Sequence, residues 1–167
     1  SGGMLQMVQL WVNLRAQDKN AAPGYQTLRK DQIPSVLLED GQSRVRVVAG
    51  DYHATHGPAR THSPILLWDT TLHSGAEVSL PLPDGFNAAV FVLKGQLSSD
   101  DGELNQGALG ILSASHSTFR IKAVNDAQVL ILGGKPIDEP IVGYGPFVMN
   151  TREEIQLAVE QFQRGAM

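Results

Sequence analysis

The chain has 167 residues, 18% charged and 42% hydrophobic, with a formal net charge of −4. That length suits one domain with a flanking segment and allows a proper core. An acidic balance without a basic run speaks against direct nucleic-acid binding, no apolar stretch approaches the ~20 residues of a membrane span, and zero cysteines exclude disulfides, thiolate metal sites and cysteine nucleophiles.

Ser1-Gly2-Gly3 before Met4 reads as a tag remnant, outside the fold. With no signal-peptide pattern and no cysteine, the expected location is cytoplasmic. Val8, Leu10, Val12 and Leu14 alternate with less apolar neighbours, which predicts an N-terminal strand. Such a strand at the chain start lends itself to a partner sheet. Residues 15–34 are polar and turn-rich, with Pro23-Gly24 and Pro34, and read as a linker.

Short strands are predicted next at Ser35–Leu38, Arg44–Ala49, Ile65–Thr71, Glu77–Leu80, Ala88–Leu93, Ala108–Leu112, Thr118–Ala123 and Gln128–Leu132. Asp40-Gly41, Asp84-Gly85, Asp101-Gly102, Asn125-Asp126 and Gly133-Gly134 punctuate the gaps. Many short strands between such turns mean an all-β sandwich or barrel, here over residues 35–135. The end differs. Thr151 and Glu154 make a capping box, and Ile155, Ala158, Val159 and Phe162 share one helical face. A loop and an amphipathic helix therefore fill residues 136–167, with Gly165 as the stop. That apolar face must dock on its own barrel or on a neighbour.

Gly75 and Gly95 bracket a stretch with the spacing of the first cupin motif, G-x5-H-x-H-x3–4-E-x6-G. Pro81 and Pro83 stand at the two His positions and Ala88 at the Glu position. None of these side chains offers a lone pair to a metal. In the second motif, counted from Gly107, Ser113, Ser115 and Thr118 fall at the Pro, Gly and His positions, with His116 two residues early. The stretch therefore resembles a cupin β-barrel, or jelly roll, whose ligand positions Pro81, Pro83, Ala88 and Thr118 are vestigial.

Three further runs resemble the pirin family. They are Gln9–Leu14, Gly50 to Pro64 with Gly57-Pro58 and Thr61-His62-Ser63-Pro64, and Gly133-Gly-Lys-Pro-Ile-Asp-Glu-Pro-Ile-Val-Gly-Tyr-Gly-Pro-Phe-Val-Met-Asn-Thr151. The resemblance spans nearly all of residues 8–165. It implies a two-cupin protein whose N-terminal barrel holds iron or a similar metal through three His and one Glu. Its C-terminal barrel would be similar in fold but metal-free. It also implies links to quercetin 2,3-dioxygenase activity and, in animals, to metal-dependent transcriptional co-regulation. This sequence matches the end of the N-terminal half and the whole C-terminal half, so no catalytic residue carries over. No cofactor is expected here.

His53, His56 and His62 form the remaining candidate metal group, with Asp51 and His73 as possible additions. Imidazole and carboxylate together suit iron, zinc or nickel. Gly57-Pro58 argues instead for a polar turn that happens to carry histidines. No G-x-S-x-G elbow supports a hydrolase triad, and Gly133-Gly134-Lys135-Pro136 lacks phosphate-loop spacing. Glu139 and Tyr144 read as structural, in a loop whose glycines and prolines set the backbone path.

Three functions follow as expectations. The first is a non-catalytic structural or interaction module, a truncated bicupin that forms a homodimer through its N-terminal strand and C-terminal helix. The second is a metal-dependent dioxygenase of the quercetinase kind. The third is a metal-free barrel that binds a small molecule, with Pro81, Leu82 and Ala88 lining the pocket.

Overall fold

The computed structural model describes residues 2, 3, 6–112 and 118–165. Among the described residues there are fourteen strands, one α-helix and two short 3-10 turns: β1 (Ser35–Leu37), β2 (Arg44–Ala49), β3 (Asp51–Tyr52), β4 (Thr55–His56), β5 (Ile65–Leu72), β6 (Glu77–Pro81), β7 (Asn87–Lys94), β8 (Gln96–Ser99), β9 (Gly102–Asn105), β10 (Leu109–Leu112), β11 (Thr118–Ala123), β12 (Ala127–Gly134), β13 (Val142–Tyr144), β14 (Phe147–Met149) and α1 (Arg152–Gln163), with the 3-10 turns at Ala16–Asp18 and Lys30–Gln32.

The chain forms two compact units, one of Gly24–Pro136 and one made of the residues up to Pro23 with those from Ile137 onward. In the larger unit a six-stranded sheet, β1-β2-β5-β12-β7-β10, and a four-stranded sheet, β6-β11-β8-β9, share one core. All their pairings are antiparallel. The two small hairpins are β3–β4 and β13–β14. This is the β-barrel expected from the spacing of strands and turns, followed by a C-terminal helix.

Period-2 alternation decides which side chains fill the barrel. On β5, Leu66, Trp68, Thr70 and Leu72 are buried, while Ile65, Leu67, Asp69 and Thr71 are only half-buried. On β7 the buried set is Ala88, Val90 and Val92. Val78 and Leu80 of β6, Leu97 of β8 and Ile121 of β11 meet them from the other sheet. The core is aliphatic around one large aromatic, Trp68, with Tyr52 edge-on to it at 5.0 Å between ring centroids. Tight turns hold the sheets together. A side chain at Gly95, which sits at φ +84°, would press on the backbone of Asp126 and Ala127.

Outside the barrel, α1 packs on both strands of the β13–β14 hairpin. Thr151 caps it by accepting from the Glu154 N–H, and the Glu154 carboxylate accepts from the Thr151 N–H in return. Ile155 and Ala158 are buried, and Phe162 lies edge-on to Phe147 at 5.8 Å. The predicted strand over Val8–Leu14 is absent: this segment joins no ladder among the described residues. Apolar alternation makes a strand only when a neighbour supplies the other half of its hydrogen bonds.

Candidate functional site

The two glycines of the cupin-like stretch keep their turn roles, with Gly75 at φ +83° and Gly95 at φ +84°. The residues between them alternate on β6 and the following turn. Leu80 and Leu82 are buried, Pro81 is half-buried and Pro83 is exposed. Pro81 pairs across the ladder with Thr118, itself exposed. Ala88, at the Glu position, is buried and pairs with Leu112 and Gly133. Of the four motif positions only Ala88 is turned into the core. Pro81 and Thr118 are brought together, on the solvent side. Ser113, Ser115 and His116 lie outside the described residues.

Among the described residues, Leu80, Leu82, Ala88, Leu112 and Ile121 face inward here. A cation such as iron needs oxygen, nitrogen or thiolate donors to replace its water. Hydrocarbon side chains supply none, so these residues do not fit the family metal.

The histidines lie elsewhere. His53 is the turn residue of the β3–β4 hairpin, at φ +50°, with its ring edge-on to Tyr52 at 4.5 Å. His56 sits on β4 opposite Asp51, and its Nδ1 lies 2.7 Å from Asp51 Oδ1. His62 is exposed in the connection between β4 and β5. His73 Nδ1 is 3.7 Å from Asp126 Oδ1, after β5. Among the described residues no three His, Asp or Glu side chains are grouped so as to hold one ion. The Asp51–His56 pair fixes a tautomer and orients a ring. It is widely exposed, and it stiffens a short hairpin whose other face buries Tyr52. That burial pushes the Tyr52 phenol above its ordinary pKa of 10.0.

Two polar arrangements were invisible in the sequence. Glu139 Oε2 accepts from the Ala16 N–H at 2.6 Å and from Asn150 Nδ2 at 3.0 Å. Asn150 Nδ2 also donates to the Pro140 carbonyl. Glu139 thus clasps the N-terminal stretch to the start of the C-terminal helix, within one unit. The second lies in the barrel, where Trp68 Nε1 and Thr70 Oγ1 are fully buried with no hydrogen-bond partner among the described residues. Both point inward from β5, two residues apart. Nothing in a strand pattern reveals which partners a buried hydroxyl finds.

Two grooves of the smaller unit are lined by described residues. One, of about 530 Å³, runs along β13 and the Arg152, Gln156 and Glu160 row of α1, over Ile155 and Val159. The other, of about 300 Å³, lies between Trp11–Leu14 and β14.

Two antiparallel sheets around an aliphatic core, with turn glycines at cupin spacing, define a cupin-type barrel. The sequence model of the Pirin C-terminal cupin domain matches residues 67–167. The chain therefore belongs to the pirin family. It is 47% identical over 165 residues to a Pseudomonas aeruginosa protein whose name gives quercetin 2,3-dioxygenase as a provisional activity, covering 99% of this chain and 58% of that protein. It is 33% identical over 161 residues to pirin of Mus musculus, covering 93% of this chain and 55% of the mouse protein. Its fold is similar to the crystal structure of a quercetin 2,3-dioxygenase from Acinetobacter baumannii, at a TM-score of 0.89 and 39% identity, over 94% of this chain and 56% of that one. The chain spans little more than half the length of these relatives. No helix among the described residues is long and apolar enough to cross a membrane.

Proposed function

We propose that this chain is a cupin module without a metal centre of its own, acting as a structural or interaction protein that self-associates. The observation that carries this reading is the aliphatic set Leu80, Leu82, Ala88, Leu112 and Ile121 turned into the barrel beside the cupin spacing. Self-association is supported by exposed apolar residues outside the barrel: Trp11 is 73% exposed, Tyr144 69% and Phe162 64%. Surfaces of that kind are removed from water by association. A two-fold homodimer is the simplest closed arrangement.

The second reading is a metal-dependent dioxygenase acting on a flavonol. It is supported by the names of the Pseudomonas and Acinetobacter relatives. On this reading the metal ligands come from the stretch of those relatives that this chain does not cover. A third reading, a metal-free binding barrel, rests on Trp68 Nε1 and Thr70 Oγ1 as polar handles in an apolar interior.

The test is elemental analysis of dialysed protein together with quercetin consumption in air. Metal well below one per chain and no turnover is the expected result. Stoichiometric iron, zinc or nickel with turnover would overturn the non-catalytic reading. Sedimentation at tens of micromolar tests self-association separately, and a monomer there would overturn that part.

A further inference from the structure

We infer that the groove between Trp11–Leu14 and β14 binds a small aromatic carboxylate, held at Lys19 and Asn13. The site lies outside the barrel and needs neither a metal nor self-association. Its whole lining belongs to the smaller unit. At about 300 Å³ it stands at the small end of the range for ligand pockets.

The charge is the first argument. Lys19 is half-buried, and its ammonium has three protons to place. Nζ donates to Asn13 Oδ1 at 2.8 Å and to the Val148 carbonyl at 3.1 Å. Both acceptors are neutral. Among the described residues no carboxylate pairs with Lys19. Asp18, its neighbour in the chain, is engaged by Arg15 Nε at 3.0 Å, and Glu139 serves the Ala16 N–H and Asn150. A cation drawn partly out of water without a counter-ion favours an anion beside it.

The second argument is a matching donor. An amide facing an ammonium presents its oxygen. Asn13 Nδ2 is therefore a second donor on the same side chain, with no acceptor among the described residues. A carboxylate has two oxygens and can take one donor on each. Phosphate and sulfate carry more oxygens and want several donors or a guanidinium fork, and this groove holds one lysine. The hydrogen bonds from Lys19 to Asn13 and Val148 fix both donors before a ligand arrives.

The rest of the lining selects the body of the ligand. Trp11, Val12, Leu14, Pro146, Val148 and Met149 are apolar. The Trp11 indole and the Met149 thioether favour a flat aromatic ring over a branched aliphatic chain.

The probe is naphthoate, titrated into isotope-labelled protein and followed by NMR, with uncharged naphthamide as the control. The chain has two tryptophans, and Trp68 is buried in the other unit, so its indole N–H is an internal reference. Saturable shifts are expected at the Trp11 indole and at the amides of Asn13, Val148 and Met149, with none at Trp68. Naphthamide should bind at least roughly tenfold more weakly, for the loss of a charge-assisted pair. Asn13→Asp keeps an oxygen acceptor for Lys19 and supplies the counter-ion internally. It should weaken naphthoate by roughly tenfold or more while the rest of the spectrum stays in place. Equal binding of naphthoate and naphthamide, or an Asn13→Asp protein that binds as tightly as the parent, would overturn the inference. So would shifts that do not saturate or that fall outside the groove.

Discussion

Pro81 and Thr118 are cross-strand partners on the solvent side of the β6–β11 ladder, while Leu80, one residue before Pro81, is fully buried. The spacing of the cupin motif survives, yet Pro81 and Pro83 do not converge with Ala88. Restoring the motif letters would therefore not restore a site. The triple variant Pro81→His, Pro83→His and Ala88→Glu should bind nickel or iron no better than the parent in calorimetric titration. Ala88→Glu alone should be strongly destabilising, by about 3 kcal/mol or more, because it buries a carboxylate among hydrocarbon side chains. A stoichiometric, tight metal site in the triple variant would contradict the geometry described here.

Thr70 gives a prediction with the opposite sign. Its side chain is fully buried on β5 and its hydroxyl has no partner among the described residues. A lone buried hydroxyl carries its desolvation cost uncompensated. Valine matches its shape and keeps the β-branch suited to a strand. Thr70→Val should raise stability by about 1 kcal/mol, or about 2–4 °C in Tm for a chain of this size. Thermal melts of the two proteins decide it. A clear drop in Tm would mean that the hydroxyl is hydrogen-bonded in solution.

Much of the barrel was legible because its strands obey one simple period. Arg44–Ala49 and Thr118–Ala123 fall on the predicted residues, and β5, β6, β7, β10 and β12 differ by one or two at their ends. The capping box at Thr151 was equally plain, since two side chains and a fixed spacing define it. Three features escaped. The β3–β4, β8–β9 and β13–β14 hairpins went unpredicted; their strands are two to four residues long and show no clear apolar–polar alternation. The Val8–Leu14 alternation promised a strand, but a ladder needs a partner that local sequence does not contain. The Glu139 clasp joins residues 123 positions apart, and nothing near Glu139 marks Ala16 as its donor. At the candidate site, spacing placed the glycines correctly and could not reveal which of Leu80 and Pro81 faces inward.

The clasp itself is testable. Glu139 is half-buried, and one carboxylate oxygen serves both the Ala16 N–H and Asn150 Nδ2. Glu139→Ala should leave both donors to water and loosen the N-terminal stretch. Amide exchange at Ala16 should speed up by roughly tenfold, in line with one lost hydrogen bond to a charged group. Exchange on β5 and β12 should stay unchanged, because those strands belong to the other unit. Equal acceleration in both places would mean that Glu139 supports the whole fold rather than a local join.

A last prediction concerns acid. Asp40 accepts from the Ser43 hydroxyl and from the N–H groups of Gln42 and Ser43, and Ser43 Oγ in turn accepts from the His73 N–H at 2.9 Å. This network explains how a serine can be fully buried at the entry to β2. The Ser43 hydroxyl is the main cause that holds the Asp40 carboxyl below its ordinary value of 3.8; the two N–H groups and His73 add to it, against partial desolvation. The sign follows from linkage. A carboxyl with a depressed folded pKa stabilises the fold above its unfolded value, and that contribution is lost as pH falls through the lower, folded one. The β1–β2 turn should therefore hold at pH 5 and loosen only as the pH falls below 3.8. In Asp40→Asn the acid-dependent step should vanish from the Ser43 and His73 amide shifts, while the rest of the spectrum keeps its pH profile. A parent protein whose Ser43 and His73 amides show no transition as the pH falls below 3.8 would rule out Asp40 as the group that clips this turn.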